Sequence, residues 1–300
     1  MALQEAQIVV LVIYPELVRH SVAISLPFVV GEKGQPSCDS CTSWSCYSNN
    51  WKRNDSFGKS YLDALKKENI LTDFIGLTSE ALTGLAQIIV EDSGQNSIVI
   101  VPGANNYLTT EDVMNSRATL TKAKIMLSVL EIPRETVLSG LKLANELGVF
   151  TILNAAPAVE NLEKDFYTLA DILCAEMLIK QPVTNHDEAL SAAHRLMEKG
   201  CKKHVLITLG KNGALLLSRD NNNSFLEPVF VKAPEVKAID TTGAGDCFLG
   251  ALAYFLAYYP DWPLSKTVTN SCCVASLSVQ RTGTQTSFPH KHELESNLFV

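Results

Sequence analysis

From about residue 55 onward, apolar positions along the chain follow two alternating rhythms. In "SFGKSYLDALKKE", Phe57, Tyr61, Leu62 and Leu65 fall on one helical face, behind a Ser56 with the chemistry of an N-cap. "LTGLAQIIV" and "NSIVIV" are strand-like runs on either side of "EDSGQ", whose turn chemistry predicts a hairpin within residues 83–102. "KIMLSVL" then predicts a strand, and "PRETVLSGLKLANELG" a helix with Pro133 at its start and Gly148 at its stop. "VFTILN" predicts another strand, and "DEALSAAHRLMEKG" a helix leading into the strand "HVLITLG". Buried strands alternating with amphipathic helices imply βαβ units, hence an α/β fold around a largely parallel sheet. Ligands of such sheets gather beyond the carboxyl ends of the strands. Glu131, Asn154, Thr208 and Gly210 stand there, although each is also an ordinary loop or cap residue by type, and Asn154 taken alone reads that way.

Composition narrows the choice of partners. Three hundred residues, 46% of them apolar, suffice for one large domain spanning 1–300. A net charge of −7 supplies no basic surplus for nucleic acid or an anionic membrane surface, so small molecules are the expected partners. "IVVLVIY" is far shorter than the roughly 20 apolar residues of a membrane span and follows an acidic start; it predicts a first strand. The expected product is soluble and intracellular, cytoplasmic or nuclear. Eight cysteines then read as reduced thiols. Cys38, Cys41 and Cys46 in "CDSCTSWSC" offer three thiolates where a structural zinc site takes four ligands.

The candidate chemistry lies in "AIDTTGAGDCFLGALA", residues 238–253. Its glycines let the backbone turn tightly and approach a ligand, and the following helix offers unpaired amides to an anion. Asp246, in the first turn, is placed to take a proton from a hydroxyl attacking a phosphoryl group. The same residues equally fit a glycine-capped turn before an ordinary helix whose aspartate favours the helix dipole.

The run from Asp240 to Ala253 resembles the C-terminal motif of the sugar kinases of the ribokinase family. The similarity extends to "VLITLGKNGALLL", the hairpin, "NAAPA" and "SVQRTGTQTSFP", covering roughly residues 55–300. No Walker-type lysine loop is present, and this family uses none. The resemblance implies a three-layer α/β fold with a small β lid at 83–102, pairing two chains into a homodimer. It implies ATP-dependent phosphorylation of D-ribose at its 5-hydroxyl, with another sugar or nucleoside kinase of the family, or an inactive family remnant, as the alternatives. By the same resemblance Asp246 is the base, and the amides of Gly243, Ala244 and Gly245 form the anion hole. Glu131, with Gly31, Lys33 and Gly34, holds the sugar. Thr208, Leu209, Gly210, Lys211, Asn212 and Gly213 line the ATP site, together with Gly245. Asp240, Thr242, Ser278, Arg281, Gly283 and Ser287 fall where the family binds K⁺, usually through backbone carbonyls plus one carboxylate, and Mg²⁺ accompanies ATP.

The chain departs from the family in two places. "GEKG" runs into Gln35 and Pro36 where the family has Gly-Gly-Lys-Gly-Ala-Asn, the sugar-binding Asp before it is absent, and "ADILCAEMLIKQPV" lacks the Asn-x-x-Glu motif. The polar stretch "QPSCDSCTSWSCYSNNWK", residues 35–52, becomes a helix-and-strand pattern of Ala, Val and Gly when its codons are shifted by one base and its serines use AGY. Residues 10–54 are therefore expected to be atypical and in part translated out of frame, with reduced kinase activity as the consequence.

Overall fold

The computed structural model describes residues 7–11, 14–15, 23–26, 47–48, 50–53, 55–67, 72–90, 96–156, 162–176 and 186–299. Its centre is an eight-stranded sheet. From one edge the order is Val229–Val231, Ala214–Ser218, His204–Thr208, Ile172–Glu176, Phe150–Asn154, Ala123–Val129, Gln7–Leu11 and Tyr47–Ser48. From His204–Thr208 to Tyr47–Ser48 every neighbouring pair is parallel, while the two strands at the other edge are antiparallel. Parallel strands buried on both faces need apolar residues at nearly every position, which explains the unbroken runs in the sequence.

Side-chain alternation assigns the two faces. Ile125, Leu127, Val129, Ile152 and Leu206 pack into one layer with Phe248, Leu252, Phe255 and Val268 of the helices Ala244–Tyr258 and Leu264–Ser278. Met126, Leu153, Leu173 and Val205 point the other way, against Val137, Leu141, Ala193 and Leu196 of the helices Arg134–Glu146 and His186–Glu198. The result is helix, sheet, helix. Pro133 caps Arg134–Glu146, and Gly148 ends it at φ +70°, with Val149 N–H donating back to Ala144 O at 2.9 Å.

A second sheet has the order Tyr14–Pro15, Ala23–Leu26, Leu85–Val90, Asn96–Val101 and is antiparallel throughout. Its last two strands form a hairpin with Leu85 opposite Val101 and Val90 opposite Asn96. Within the polar stretch, Asn50–Arg53 pairs in parallel with Ile75–Thr78; most of residues 10–54, and with them the out-of-frame reading, lie outside the described residues.

One expected cap is corrected. The helix Ser56–Lys67 is capped by Asp55, whose Oδ1 accepts Gly58 N–H at 2.7 Å. The same carboxylate accepts Thr83 Oγ1–H at 2.8 Å and Thr83 N–H at 3.1 Å, so the cap also anchors the segment that leads into the hairpin. Among the described residues no helix is long and apolar enough to cross a membrane.

Candidate active site

The strands ending at Val129, Asn154 and Thr208 are parallel, so Glu131, Asn154 and the Thr208–Gly213 loop emerge at one edge of the sheet. A single contact shows where the helix Ala244–Tyr258 begins relative to that edge. Lys124, at the opposite end of Ala123–Val129, donates from Nζ to Ala257 O at 3.0 Å. Residues from Cys247 to Ala257 pack in one layer with Ile125, Leu127 and Val129, so with Ala257 at the strand's amino end the helix lies along the strand in the opposite sense. It climbs about 16 Å from Ala257 back to Asp246 at 1.5 Å per residue, while the strand and its exit cover about 23 Å from Lys124 to Glu131 at 3.3 Å per residue. Asp246 and Glu131 thus reach the same edge.

Local geometry explains the small residues before Asp246. Gly243 is the N-cap in the left-handed region at φ +75°, and a Cβ there would sit 2.3 Å from Thr284 Cγ2. The first helical amide, Ala244 N–H, turns back to Thr241 O at 3.3 Å, and Cys247 N–H starts the regular ladder on Gly243 O at 2.9 Å. Helix geometry leaves the amides between them without carbonyl partners inside the helix. Asp246 is buried in this first turn.

Asp240 ties this turn to the loop after Leu264–Ser278. Its Oδ1 accepts Thr242 N–H at 3.0 Å and its Oδ2 accepts Gly283 N–H at 3.1 Å. Ile239 and Asp240 N–H both donate to Val279 O, at 2.7 and 3.2 Å. The buried Ser278 and Ser287 hydroxyls donate to Ala275 O and Thr284 O at 2.8 and 2.6 Å. Arg281 directs its guanidinium to Glu293 Oε1 at 2.6 Å, away from a cation-binding role, so only its backbone remains for one. That hydrogen bond, with His290 N–H on the same carboxyl, lowers the Glu293 pKa to about 2. Thr242 Oγ1 is sealed from solvent without a hydrogen-bond partner. One carboxylate, an orphaned hydroxyl oxygen and two bent loops fit a large monovalent cation. Among the described residues no cluster of three or more His, Cys, Asp or Glu side chains is placed to hold a metal ion.

The two glycines of the Thr208–Gly213 loop differ in what they are for. Gly210, at φ +55°, opens a short 3₁₀ turn, Gly210–Asn212, and a Cβ on it would meet nothing within 4 Å. Gly213, at φ +95°, lies where a Cβ would fall 1.9 Å from Val231 O, so it is required by the neighbouring strand rather than by a ligand. Leu209 N–H closes the loop on Gly213 O at 2.8 Å; Lys211 and Asn212 are exposed on it.

Glu131 sits between the buried Leu130 and Ile132, and Leu130 N–H donates to Ala156 O at 3.0 Å, fixing this exit against that of the next strand. Burial raises the Glu131 carboxyl pKa to about 8, so at neutral pH it carries a proton and can donate as well as accept. Gly31, Lys33 and Gly34 lie outside the described residues.

Residues 54–291 match the pfkB family of carbohydrate kinases. The chain belongs to that family. It is 45% identical over 253 residues to a mouse ribokinase, covering 82% of this chain and 76% of the relative. It is 31% identical to a deoxyribokinase of Salmonella typhi, covering 81% and 78%. The Arabidopsis thaliana ribokinase, solved with ribose and ATP, superposes with a TM-score of 0.73 over 99% of this chain and 96% of that one; at 22% identity this likeness speaks for the fold. As a carbohydrate kinase the chain is a phosphotransferase, and the carboxyl edge that gathers Asp246, Glu131 and the Gly210 loop is its candidate active site.

Proposed function

We propose that the chain transfers the γ-phosphoryl group of ATP to the 5-hydroxyl of D-ribose, giving ribose 5-phosphate. The observation that carries this reading is the antiparallel run of Ala244–Tyr258 beneath Ala123–Val129, which brings Asp246 and its glycine turn to the edge where Glu131 emerges. Ribose as the acceptor is supported by the likeness to the mouse ribokinase. In this reading Asp246 takes the proton of the attacking hydroxyl. The amides of Gly243 and Gly245, with that of Ala244 once it leaves Thr241 O, receive the charge that spreads over the phosphate oxygens, the helix N-terminus adding its positive end. Glu131, protonated at neutral pH, holds a ring hydroxyl, joined by Gly31, Lys33 and Gly34. Thr208 to Gly213 flank the nucleotide, with Gly210 leaving room for it and Gly213 holding the loop to the sheet.

Mg²⁺ would accompany ATP and would neutralise charge on its phosphates. Asp240, Thr242, Ser278, Gly283 and Ser287, with the backbone of Arg281, would hold K⁺, which would supply positive charge beside the anion cradle. Two chains pair through the hairpin sheet, a role supported by the exposed Ile100 and Val101 on its last strand. The setting is the cytoplasm or nucleus. The departures at Gln35–Pro36 and in "ADILCAEMLIKQPV" weaken positioning, and a small misplacement costs on the order of a hundredfold in rate.

The test is ATP-dependent formation of sugar phosphate from ribose and from 2-deoxyribose, with Mg²⁺ and K⁺ present. It is run on this chain and on one with residues 35–52 read in the shifted frame and the missing motifs restored. Ribose 5-phosphate formed faster by the restored chain supports the reading. Preference for 2-deoxyribose would replace the substrate, and no sugar phosphate from either chain would overturn the activity.

A further inference from the structure

A helix N-cap needs one side-chain oxygen, and serine or asparagine supplies it as well as aspartate. At the head of Ser56–Lys67 the chain places a whole carboxylate instead. Asp55 Oδ1 accepts Gly58 N–H at 2.7 Å and Thr83 Oγ1–H at 2.8 Å, and Oδ2 accepts Thr83 N–H at 3.1 Å. Capping explains only the first of these bonds. The other two reach a threonine 28 positions along the chain that is 3% exposed. An amide could not replace them: with its oxygen at Oδ1, its NH₂ group would face Thr83 N–H, donor against donor.

Thr83 stands two residues before the hairpin ladder begins at Leu85 opposite Val101. Here the two legs of the hairpin pass backbone against backbone. Ala104 N–H donates to Leu82 O at 2.7 Å, Gly103 takes φ +53° beside that oxygen, and a Cβ on Gly84 would lie 2.6 Å from Pro102 O. Legs this close move together. The second leg continues to Leu108, whose O accepts Thr136 Oγ1–H at 2.7 Å from the first turn of Arg134–Glu146. The root of the hairpin is thus tied to one helix through Asp55 and to another through Thr136. Ser56–Lys67 is itself seated by the buried Tyr61 and Leu65.

Both ties hold a sheet that leaves the main one at its carboxyl edge. Gln7–Leu11 runs parallel to Ala123–Val129, and Tyr14–Pro15, the first strand of the second sheet, follows Leu11 by three residues. Arg134–Glu146 starts just after Glu131. The Thr208–Gly213 loop belongs to the other half of the main sheet.

We propose that Asp55 is a positioning residue for phosphoryl transfer: it fixes the stance of the hairpin sheet over the sugar end of the site and touches neither substrate. What the hairpin covers rests on the sugar-kinase reading above, whereas the hold on the hairpin rests on the hydrogen bonds alone.

The test compares the full parent chain with Asp55→Asn, which keeps a capping oxygen, with Thr83→Val and Thr83→Ser, and with Ser56→Ala as a control on the same helix end. Ribose phosphorylation is measured with ribose varied, nucleotide affinity by calorimetry, and backbone hydrogen exchange by mass spectrometry without ligands. Asp55→Asn and Thr83→Val should raise the ribose KM at least about tenfold, the effect of losing one hydrogen bond to a charged group. Their kcat should change less, and nucleotide affinity should stay within about twofold. Exchange should quicken in residues 83–90 and 96–104 and not in Ala123–Val129. Thr83→Ser and Ser56→Ala should match the parent. Should Asp55→Asn fail to fold, Thr83→Val, which leaves the cap intact, decides. An unchanged ribose KM overturns the inference, whatever the exchange shows. So does an equal loss of nucleotide affinity, or quicker exchange in the main sheet, since either marks general loosening. If the parent makes no sugar phosphate, the kinase reading fails by itself; exchange quickened only in the hairpin then upholds the hold by Asp55, and unchanged exchange overturns it.

Discussion

Gly243→Ala perturbs the turn that presents Asp246, and its cost can be worked from two separate sources. The backbone stays in the left-handed region at φ +75°, where an L-residue costs about 1–2 kcal/mol. The new Cβ would lie 2.3 Å from Thr284 Cγ2 and 3.4 Å from Phe288 Cε1, so the first contact must be relieved by movement, at about 1–3 kcal/mol for an overpacked site. The second contact is only tight. The expected total is about 2–5 kcal/mol, read as a fall in the urea midpoint at unchanged slope. Thr284→Ser keeps the hydroxyl and removes the methyl that clashes, at a cost alone of about 0.5–1.5 kcal/mol for a lost buried methyl. The double variant should therefore recover the packing part of the loss and retain only the dihedral part, a coupling between two residues 41 positions apart in the chain. Because relief of the clash shifts the first turn, single-turnover phosphoryl transfer by Gly243→Ala should fall by about a hundredfold or more. A Gly243→Ala midpoint within about 0.5 kcal/mol of the parent, or a double variant no more stable than the sum of the two singles, would refute this reasoning.

Glu131→Gln tests the raised carboxyl. The folded pKa, about 8, lies above the ordinary 4.5, so its protonated form is favoured by folding; that contribution is full below pH 4.5 and is lost as pH rises through 8. Relative to Glu131→Gln, the parent should lose stability with rising pH in this window, by at most about 1.4 kcal/mol per pH unit; parallel pH profiles would contradict the assignment. Asp55→Ala removes a helix cap and both bonds to Thr83, and should cost about 1–3 kcal/mol in urea unfolding, whereas Ser56→Ala should change little. Gly210→Trp should weaken nucleotide binding in calorimetry at a stability cost of only about 1–2 kcal/mol, that of an L-residue at φ +55°, since the space beside it is open, while Gly213→Ala, at φ +95°, should destabilise the fold further through Val231 O; equal effects of the two on binding would move the nucleotide elsewhere.

The parts of this structure that could be read from the sequence are those set by short-range pattern. Near-continuous apolar runs predicted the parallel strands, and Pro133 and Gly148 bracketed their helix because capping chemistry is local. The spacing of Asp246 behind its glycines placed it in a helix's first turn. What could not be read depends on residues distant in sequence. Ser56 and Asp55 are both capping types, and only Thr83, brought alongside by the fold, makes Asp55 the anchor. Gly213 looks like a ligand-facing glycine until Val231 O is placed against it. The second acceptance by Asp240 involves Gly283, 43 residues on. Thr109 and Asp112 do form a capping box visible in the sequence, but the helix it starts, Thr110–Asn115, is too short for its periodicity to register. Asn50–Arg53 has no apolar alternation at all, so its pairing with Ile75–Thr78 had no local signal.

The most direct test of the central claim, that Asp246 deprotonates a sugar hydroxyl at a helix N-terminal phosphate cradle, is single-turnover transfer from γ-labelled ATP to ribose by the parent and by Asp246→Asn. Nucleotide binding is measured on the same samples. The account predicts labelled ribose 5-phosphate from the parent, a loss of about 10²–10⁴-fold in Asp246→Asn as for removal of a general base, and nucleotide affinity within a few-fold. Transfer by Asp246→Asn at the parental rate, or a loss matched by equal loss of nucleotide binding, would contradict it.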